Sequence, residues 1–266
     1  MNPISITASS IIEGDAFNVL PLFPSDCVDV VITSPRYNFG KNYPGVSDKT
    51  SMPTYFSEMN CLGQELIRIV KDGGIVFLNV GCQASNPLHD TEVAQCFQKA
   101  GWVIQERIIW QKADENGNGH FTPINSKRYL NNLWESVFIL SKDGKVELDR
   151  LAIGVPYRDQ TNVTRWKHGK SVHCRGDVWY IPYETITNRV KDRDGHEATF
   201  PRGLVSRCLR LIEKGRTGLV VLDPCCGIGT VPCVAHNMGH IGIGVELSAP
   251  IAAAAKMNLT SLFPEI

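Results

Sequence analysis

Three runs of this chain are apolar and β-branched almost without interruption. Cys27 to Thr33 read CVDVVIT, Ile75 to Gly81 read IVFLNVG, and Gly218 to Asp223 read GLVVLD. A strand with one wet face alternates polar and apolar residues, so near-continuous runs belong to strands buried on both faces. Helical stripes separate them. Met52 to Val70 places Tyr55, Met59, Leu62, Leu66 and Ile69 on one face, and KDGG then predicts a glycine stop after a cationic last turn. SIIEGDAFNVL near the N-terminus reads as a short strand, a turn at Gly14-Asp15 and the start of a helix. Thr91 to Ala100 predicts another helix, while WVIQERIIWQK and LWESVFILSK predict two more strands. Such alternation specifies an α/β fold, a parallel sheet with helices on both faces.

The pattern dissolves between about Lys142 and Arg193, where the chain turns polar and basic. It returns with an amphipathic helix in FPRGLVSRCLRLIEKG, the strand GLVVLD, the helix TVPCVAHNMG, the strand HIGIGVEL and a last helix in APIAAAAKMNLTSLF. Neither flank has a complete set of layers alone. The chain therefore divides into residues 1–141, an insertion over 142–195, and residues 196–266 that finish the same sheet.

At 266 residues the chain suits one domain carrying such an insertion. It has no apolar run long enough for a bilayer and no charged-then-apolar N-terminal pattern, so a cytoplasmic protein without membrane association is expected. Formal net charge is zero, so any nucleic-acid footing must be local. The insertion supplies one. Arg150, Arg158, Arg165, Lys167, Lys170 and Arg175, with His168 and His173, stand against Asp159 as the sole acid between positions 150 and 175, and Trp166 lies among them. Phosphate contacts are expected of most of these, with one or two arginines on guanine edges. The nine cysteines show no framework spacing and no CxxC pair, which predicts reduced thiols and no metal. Cys225, Cys226 and Cys233 are poorly spaced for zinc.

VVLDPCCGIGTV, Val220 to Val231, carries the first chemical signal. A buried strand ends at Asp223, Gly227 and Gly229 allow close approach of a ligand to the backbone, and a helix starts near Thr230. The following strand ends at Glu246, about 20 residues beyond the glycines, where an acid accepts hydrogen bonds from ribose hydroxyls. Pro232 stands where a dinucleotide fingerprint has its third glycine, and there is no P-loop lysine. Asp223 is poor company for a pyrophosphate and good company for a cation. An adenosyl ligand with an amino group and a sulfonium, S-adenosylmethionine, satisfies all of this.

Four phrases then resemble one family. DPCCGIGT resembles the cofactor loop of amino-group DNA methyltransferases, TSPRYN their catalytic S/D-P-P-Y/F loop, HEATFP (His196 to Pro201) the segment beside the cofactor's methionine part, and DVWYIP a phrase that precedes it. Their order is that of the β group, in which the catalytic half precedes the cofactor half. The resemblance implies a Rossmann-like S-adenosylmethionine-dependent methyltransferase sheet, mixed and seven-stranded. Residues 1–141 become its catalytic half, 142–195 its target-recognition region and 196–266 its cofactor half. It implies cofactor contacts from Asp223, Pro224, Cys225, Gly227, Gly229, Thr230, Glu246, Leu247, Phe200, Pro201 and Thr33. Asp15 joins them if the N-terminal strand completes the sheet beside Glu246; the competing role for Asp15 is a helix cap. DNA contacts are expected from Lys41, Arg158, Arg165, Trp166, Lys167, Lys170 and Arg175. A cognate restriction endonuclease is a companion that the resemblance allows without requiring, and the protein is expected to act as monomer or homodimer. Arg36 departs from the family's second proline, Cys225 from its phenylalanine and Glu197 from its proline.

The catalytic loop suits an exocyclic amine, a weak nucleophile whose nitrogen must become tetrahedral as it attacks the methyl group. Acceptors aimed at its N–H groups favour that change. Ser34 offers a hydroxyl oxygen, Pro35 a carbonyl on a residue of restricted φ, and Tyr37 a face for an extruded base, while Arg36 either leaves the loop less rigid, anchors a phosphate or forms a surface salt bridge. In this family Ser-Pro-Pro-Tyr tends to accompany N4 of cytosine and Asp-Pro-Pro-Tyr N6 of adenine. The expected activity is therefore site-specific transfer to cytosine N4 of double-stranded DNA, with the base flipped out. Adenine-N6 or RNA methylation on the same scaffold is the alternative, and a catalytically silent nucleic-acid-binding protein is the non-enzyme alternative. Pro224-Cys225 and Pro232-Cys233 lie in or beside the cofactor loop and are discounted as C5-type nucleophiles.

Overall fold

The computed structural model describes residues 4, 6–43, 46–114, 116, 118, 124–165, 171–182 and 201–261. Strand β1 (Ser10–Glu13) leads into a single helical turn, α1 (Ala16–Val19), and a 3-10 turn, Leu20–Leu22. Strand β2 (Val28–Thr33) precedes a small hairpin of β3 (Asn42–Tyr43) and β4 (Val46–Ser47). Helix α2 (Met52–Ile69) passes into β5 (Val70–Val80), α3 (His89–Lys99) precedes β6 (Val103–Gln111), and β7 (Trp134–Ser141) follows. Strands β8 (Val155–Pro156) and β9 (Val172–His173) pair with each other, with a 3-10 helix, Gln160–Arg165, between them in sequence. The rest is β10 (Val178–Tyr180), α4 (Arg202–Glu213), β11 (Val220–Asp223), α5 (Thr230–Asn237), β12 (Ile241–Glu246) and α6 (Ala249–Thr260). Among the described residues no helix is long and apolar enough to cross a membrane.

The main sheet runs β1-β12-β11-β2-β5-β7-β6-β10. It is mixed: β7 runs antiparallel to β5 and β6, and every other pairing is parallel. It has eight strands where seven were expected. The eighth, β10, comes from the 142–195 segment and sets Trp179 opposite Trp110 on β6. Its three residues are too few to show a strand's period. The N-terminal strand does complete the other edge, with Glu13 of β1 opposite Glu246 of β12.

The apolar runs are explained by a core on each face. Val31, Val76 and Leu78 pack with α2 and α3, while Val30, Ile32, Ile75 and Phe77 pack with α4 and α5. Alternate side chains point to opposite faces, so a strand covered on both sides needs apolar residues at every position.

KDGG is not a helix stop. Val70 is already extended and begins β5, and the four residues form a bulge inside it. Val28 lies opposite Val70, yet Val30 lies opposite Ile75. Gly73 has φ +76°, and a Cβ on Gly74 would stand 2.6 Å from Val70 Cγ1 and 2.9 Å from the Asp29 carbonyl. The glycines thus serve a bulge pressed against β2, a role that sequence alone does not separate from a helix stop.

Pro232, in the place of a third loop glycine, is compensated on the strand that packs beneath it. A Cβ on Gly242 of β12 would come 2.2 Å from the Pro232 carbonyl oxygen. The close helix–strand approach is therefore built from the strand side. Gly242→Ala is expected to destabilise the fold by about 3 kcal/mol, lowering the melting midpoint by on the order of 6–10 °C. An unchanged midpoint in calorimetry would show that α5 and β12 are not in this contact.

Candidate active site at the carboxyl edge of the sheet

The parallel strands deliver their last residues to one edge: Glu13, Thr33, Val80, Asp223 and Glu246. The strand order turns between β11 and β2. From β11 the chain moves outward to β12, and from β2 outward in the opposite direction to β5. A crevice opens at such a switch point. Across it, Thr33 donates its hydroxyl hydrogen to Asp223 Oδ1 at 2.9 Å.

A cavity of about 330 Å³ lies there. One side is lined by Asp15, Asp223, Pro224, Cys225, Gly227, Thr230, Glu246 and Leu247, the other by Ser34, Pro35, Arg36, Tyr37 and Lys41. The two sequence signals, nearly 190 residues apart, thus share one cavity.

Asp223 is 1% exposed. Its Oδ1 accepts from Thr33 and from the Cys225 amide at 3.0 Å. Burial pushes its carboxyl up to about 7, Glu246 adds to the rise, and the two hydrogen bonds only partly oppose it. No cation among the described residues contributes to its ionisation. A buried carboxylate without a cationic partner fits a ligand that brings its own positive charge.

Glu246 accepts from the Gly227 amide at 3.0 Å through Oε2 and from the Ser248 amide at 2.8 Å through Oε1. Burial raises its carboxyl, and these backbone bonds pull against the rise. Each oxygen keeps lone-pair capacity for a hydroxyl donor. Gly227 at φ +53° and Gly229 at φ +84° hold the turn that presents the Gly227 amide. Asp15 caps α1 by accepting from the Phe17 amide at 2.9 Å, and it also lines the cavity. Leu247 and Phe17 line the same side, 48% and 37% exposed, which leaves apolar surface for a flat ring. Burial pushes the Cys225 thiol well above its usual value, so this side chain is a small neutral wall. Acid, hydroxyl acceptor and apolar walls together fit an adenosyl ligand with a cationic amino group.

The loop from Ser34 to Lys41 is held firmly by its neighbours. The Tyr55 hydroxyl of α2 donates to the Arg36 carbonyl at 2.9 Å, and Glu58 of the same helix pairs with the Arg36 guanidinium. Asn38, at φ +60°, exchanges hydrogen bonds with the Thr50 backbone at 2.7 and 3.0 Å. The Asp48 carboxylate accepts from the amides of Asn38, Phe39 and Lys41.

Three site residues were missed by sequence reasoning: Asn79 at the end of β5, Lys112 just past β6, and Glu135 on β7. They surround the Ser34 and Tyr37 hydroxyls, which lie 2.6 Å apart. Charge was the available signal, since Glu135 interrupts the apolar run WESVFIL.

Other expected residues stand apart. Pro201 caps α4 and is not among the residues lining the cavity. Arg158 is exposed, and Arg175 donates from Nε to the Ile153 carbonyl at 3.0 Å. Arg165 ends the 3-10 helix, and its side chain lies outside the described residues, as do Trp166, Lys167, Lys170 and Phe200.

The profile of the DNA methylase family, of N6/N4 type, matches residues 28–257. Type II beta methyltransferase M.BslI of Bacillus sp. is 25% identical over 90% of this chain, which spans 26% of that longer protein. DNA adenine methyltransferase YhdJ of Escherichia coli is 23% identical over 91% of this chain and 79% of its own length. Among solved structures, PvuII DNA methyltransferase (cytosine-N4-specific) superposes with a TM-score of 0.73 at 16% identity, covering 98% of this chain and 89% of that one.

Proposed function

The chain belongs to the N6/N4 DNA methylase family, and on that premise we propose that it methylates the N4 amine of cytosine in double-stranded DNA. The family modifies exocyclic amino groups of DNA, and its methyl donor is S-adenosylmethionine. When bound, the donor supplies an electrophilic methyl group on a sulfonium. Asp223 takes the donor's ammonium, Glu246 its ribose hydroxyls, and Leu247 and Phe17 its adenine ring. Ser34 Oγ and the Pro35 carbonyl accept from the target amine, which orients it and favours the tetrahedral nitrogen. Glu58 and Tyr55 hold the loop that carries both acceptors. A base stacked in a duplex does not reach a cavity of this kind, so the target is flipped.

Ser34 carries the choice of cytosine. It stands where an aspartate accompanies adenine, and it shares the cavity with Asp223. The adenine reading is favoured by one observation, the likeness to YhdJ, which is named an adenine enzyme. Residues 1–141 form the catalytic half in this reading and 196–266 the cofactor half. The 142–195 segment, with Arg158, Arg165, Trp166, Lys167, Lys170 and Arg175, faces DNA together with Lys41. A restriction endonuclease of the same target site is a companion that this reading allows without requiring.

Incubation with S-adenosylmethionine and unmethylated genomic DNA, with total RNA in parallel, followed by nucleoside mass spectrometry, tests the proposal. N4-methylcytosine in DNA is expected. N6-methyladenine would overturn Ser34 as the base selector, and product in RNA alone would overturn the DNA assignment.

A further inference from the structure

Beneath the catalytic loop lies a buried polar cluster that the proposed chemistry has not yet used. Glu135 is 8% exposed and Asn79 3%, and both line the cavity. Lys112 Nζ donates to Glu135 Oε1 at 2.7 Å. Asn79 Nδ2 donates to Glu135 Oε2 at 2.7 Å and to Tyr37 Oη at 2.6 Å. The Tyr37 hydroxyl donates to Glu135 Oε2 at 3.0 Å and lies 2.6 Å from Ser34 Oγ.

The hydrogens of this cluster favour one arrangement over that in which Tyr37 donates to the Asn79 carbonyl at 3.3 Å. Burial pushes the Glu135 carboxyl up, but the Lys112 ammonium and the Asn79 and Tyr37 hydrogen bonds outweigh it and hold the group below the usual carboxylate range. Glu135 therefore accepts only. The carboxylate also settles the Asn79 amide, because a flipped oxygen 2.7 Å from Oε2 would set two acceptors against each other. Tyr37 has one hydrogen, and the carboxylate is its strongest acceptor. With that hydrogen committed, Tyr37 Oη faces Ser34 as an acceptor. The Ser34 hydrogen closes the 2.6 Å contact, and Ser34 Oγ, which Asn79 Nδ2 also approaches at 3.4 Å, keeps acceptor capacity for the cavity.

We infer that Glu135, anchored by Lys112, is a positioning residue that fixes the direction of the Ser34→Tyr37→Glu135 hydrogen bonds and so turns Ser34 Oγ into a pure acceptor for the target amine. The inference rests on the reading of Ser34 as that acceptor. A hydroxyl free to rotate would present its hydrogen to the amine part of the time, and the cluster removes that state before substrate arrives.

Glu135→Gln reverses the chain. Lys112 keeps an amide oxygen as its acceptor, so the amide nitrogen takes the Oε2 place and points hydrogens at Tyr37 and Asn79. The Tyr37 hydrogen is then driven toward Ser34, and the serine hydrogen toward the amine. The test is a double-mutant cycle on the full chain, reading methylated nucleosides from unmethylated genomic DNA at saturating S-adenosylmethionine. Glu135→Gln is expected to lower kcat at least tenfold with Ser34 present and less than twofold in a Ser34→Ala background. The donor Kd should not change. Equal losses in both backgrounds, or full activity of the single variant, would overturn the inference. If Glu135→Gln does not fold, Tyr37→Phe, which removes only the hydroxyl, takes its place with the same two outcomes. Wild-type protein that methylates no DNA would overturn the functional reading and this inference together, whereas wild-type product with additive losses overturns the inference alone.

Discussion

Asp223→Asn is expected to weaken S-adenosylmethionine binding on the order of a hundredfold, read as Kd by titration calorimetry. The substitution keeps the shape and the acceptor for Thr33 and the Cys225 amide, and it removes only the charge. A charge-assisted hydrogen bond at a buried site contributes about 3 kcal/mol, which is about two decades in Kd. The pH dependence separates charge from shape. Asp223 sits at about 7 in the free protein, against an ordinary 3.8, chiefly because of burial. A cationic ligand selects the ionised form, so below about 7 binding must expel a proton. Wild-type Kd should therefore rise about tenfold per pH unit below 7, while the variant, with no proton to lose at that position, should vary less.

The same shift fixes a sign for stability. A carboxyl raised in the folded state makes the free protein less stable as pH rises from about 4 through about 7, because the unfolded chain ionises first. The donor supplies the missing cation, so the rise in melting midpoint it causes should be larger at pH 7.5 than at pH 6. A wild-type Kd that is flat from pH 5.5 to 7.5 would mean that Asp223 is already paired within the protein.

What the sequence disclosed followed from locality. Asp223, Glu246 and Ser34 each sit at or just past the end of an apolar run, and a strand end in a parallel sheet is where ligand chemistry collects. Their order along the chain identified the two halves of one site. Asn79, Lys112 and Glu135 were hidden because they come from β5, the residue after β6, and β7, and only the order β5-β7-β6 makes them neighbours. Tyr37 was half legible: its ring was expected to stack, while its hydroxyl is spent on Glu135 and Ser34. Strand β10 was illegible because three residues carry no period. KDGG misled because glycines after a cationic turn describe a helix stop and a strand bulge equally well.

Ser34→Ala is expected to lower kcat by about two orders of magnitude with donor affinity unchanged. Removing one preorganised hydrogen-bonding partner of a developing transition state costs on the order of 10²–10³ in rate. The Pro35 carbonyl remains, which accounts for residual turnover. The backbone explains why the donor site should be spared. Adjacent side chains at a strand end point to opposite sides, so Thr33 turns to Asp223 while Ser34 turns to Tyr37 and Asn79. On the proposed roles, the single step from Thr33 at the end of β2 to Ser34 sets the offset between the donor's ammonium and the acceptor for the target amine. Alanine at 34 deletes one hydroxyl of that pair and leaves the Thr33–Asp223 bond in place. A higher KM with unchanged kcat would assign Ser34 to ground-state binding alone. A fall in donor affinity would mean that the two hydroxyls do not act separately, and the division of the cavity into donor and acceptor sides would fail.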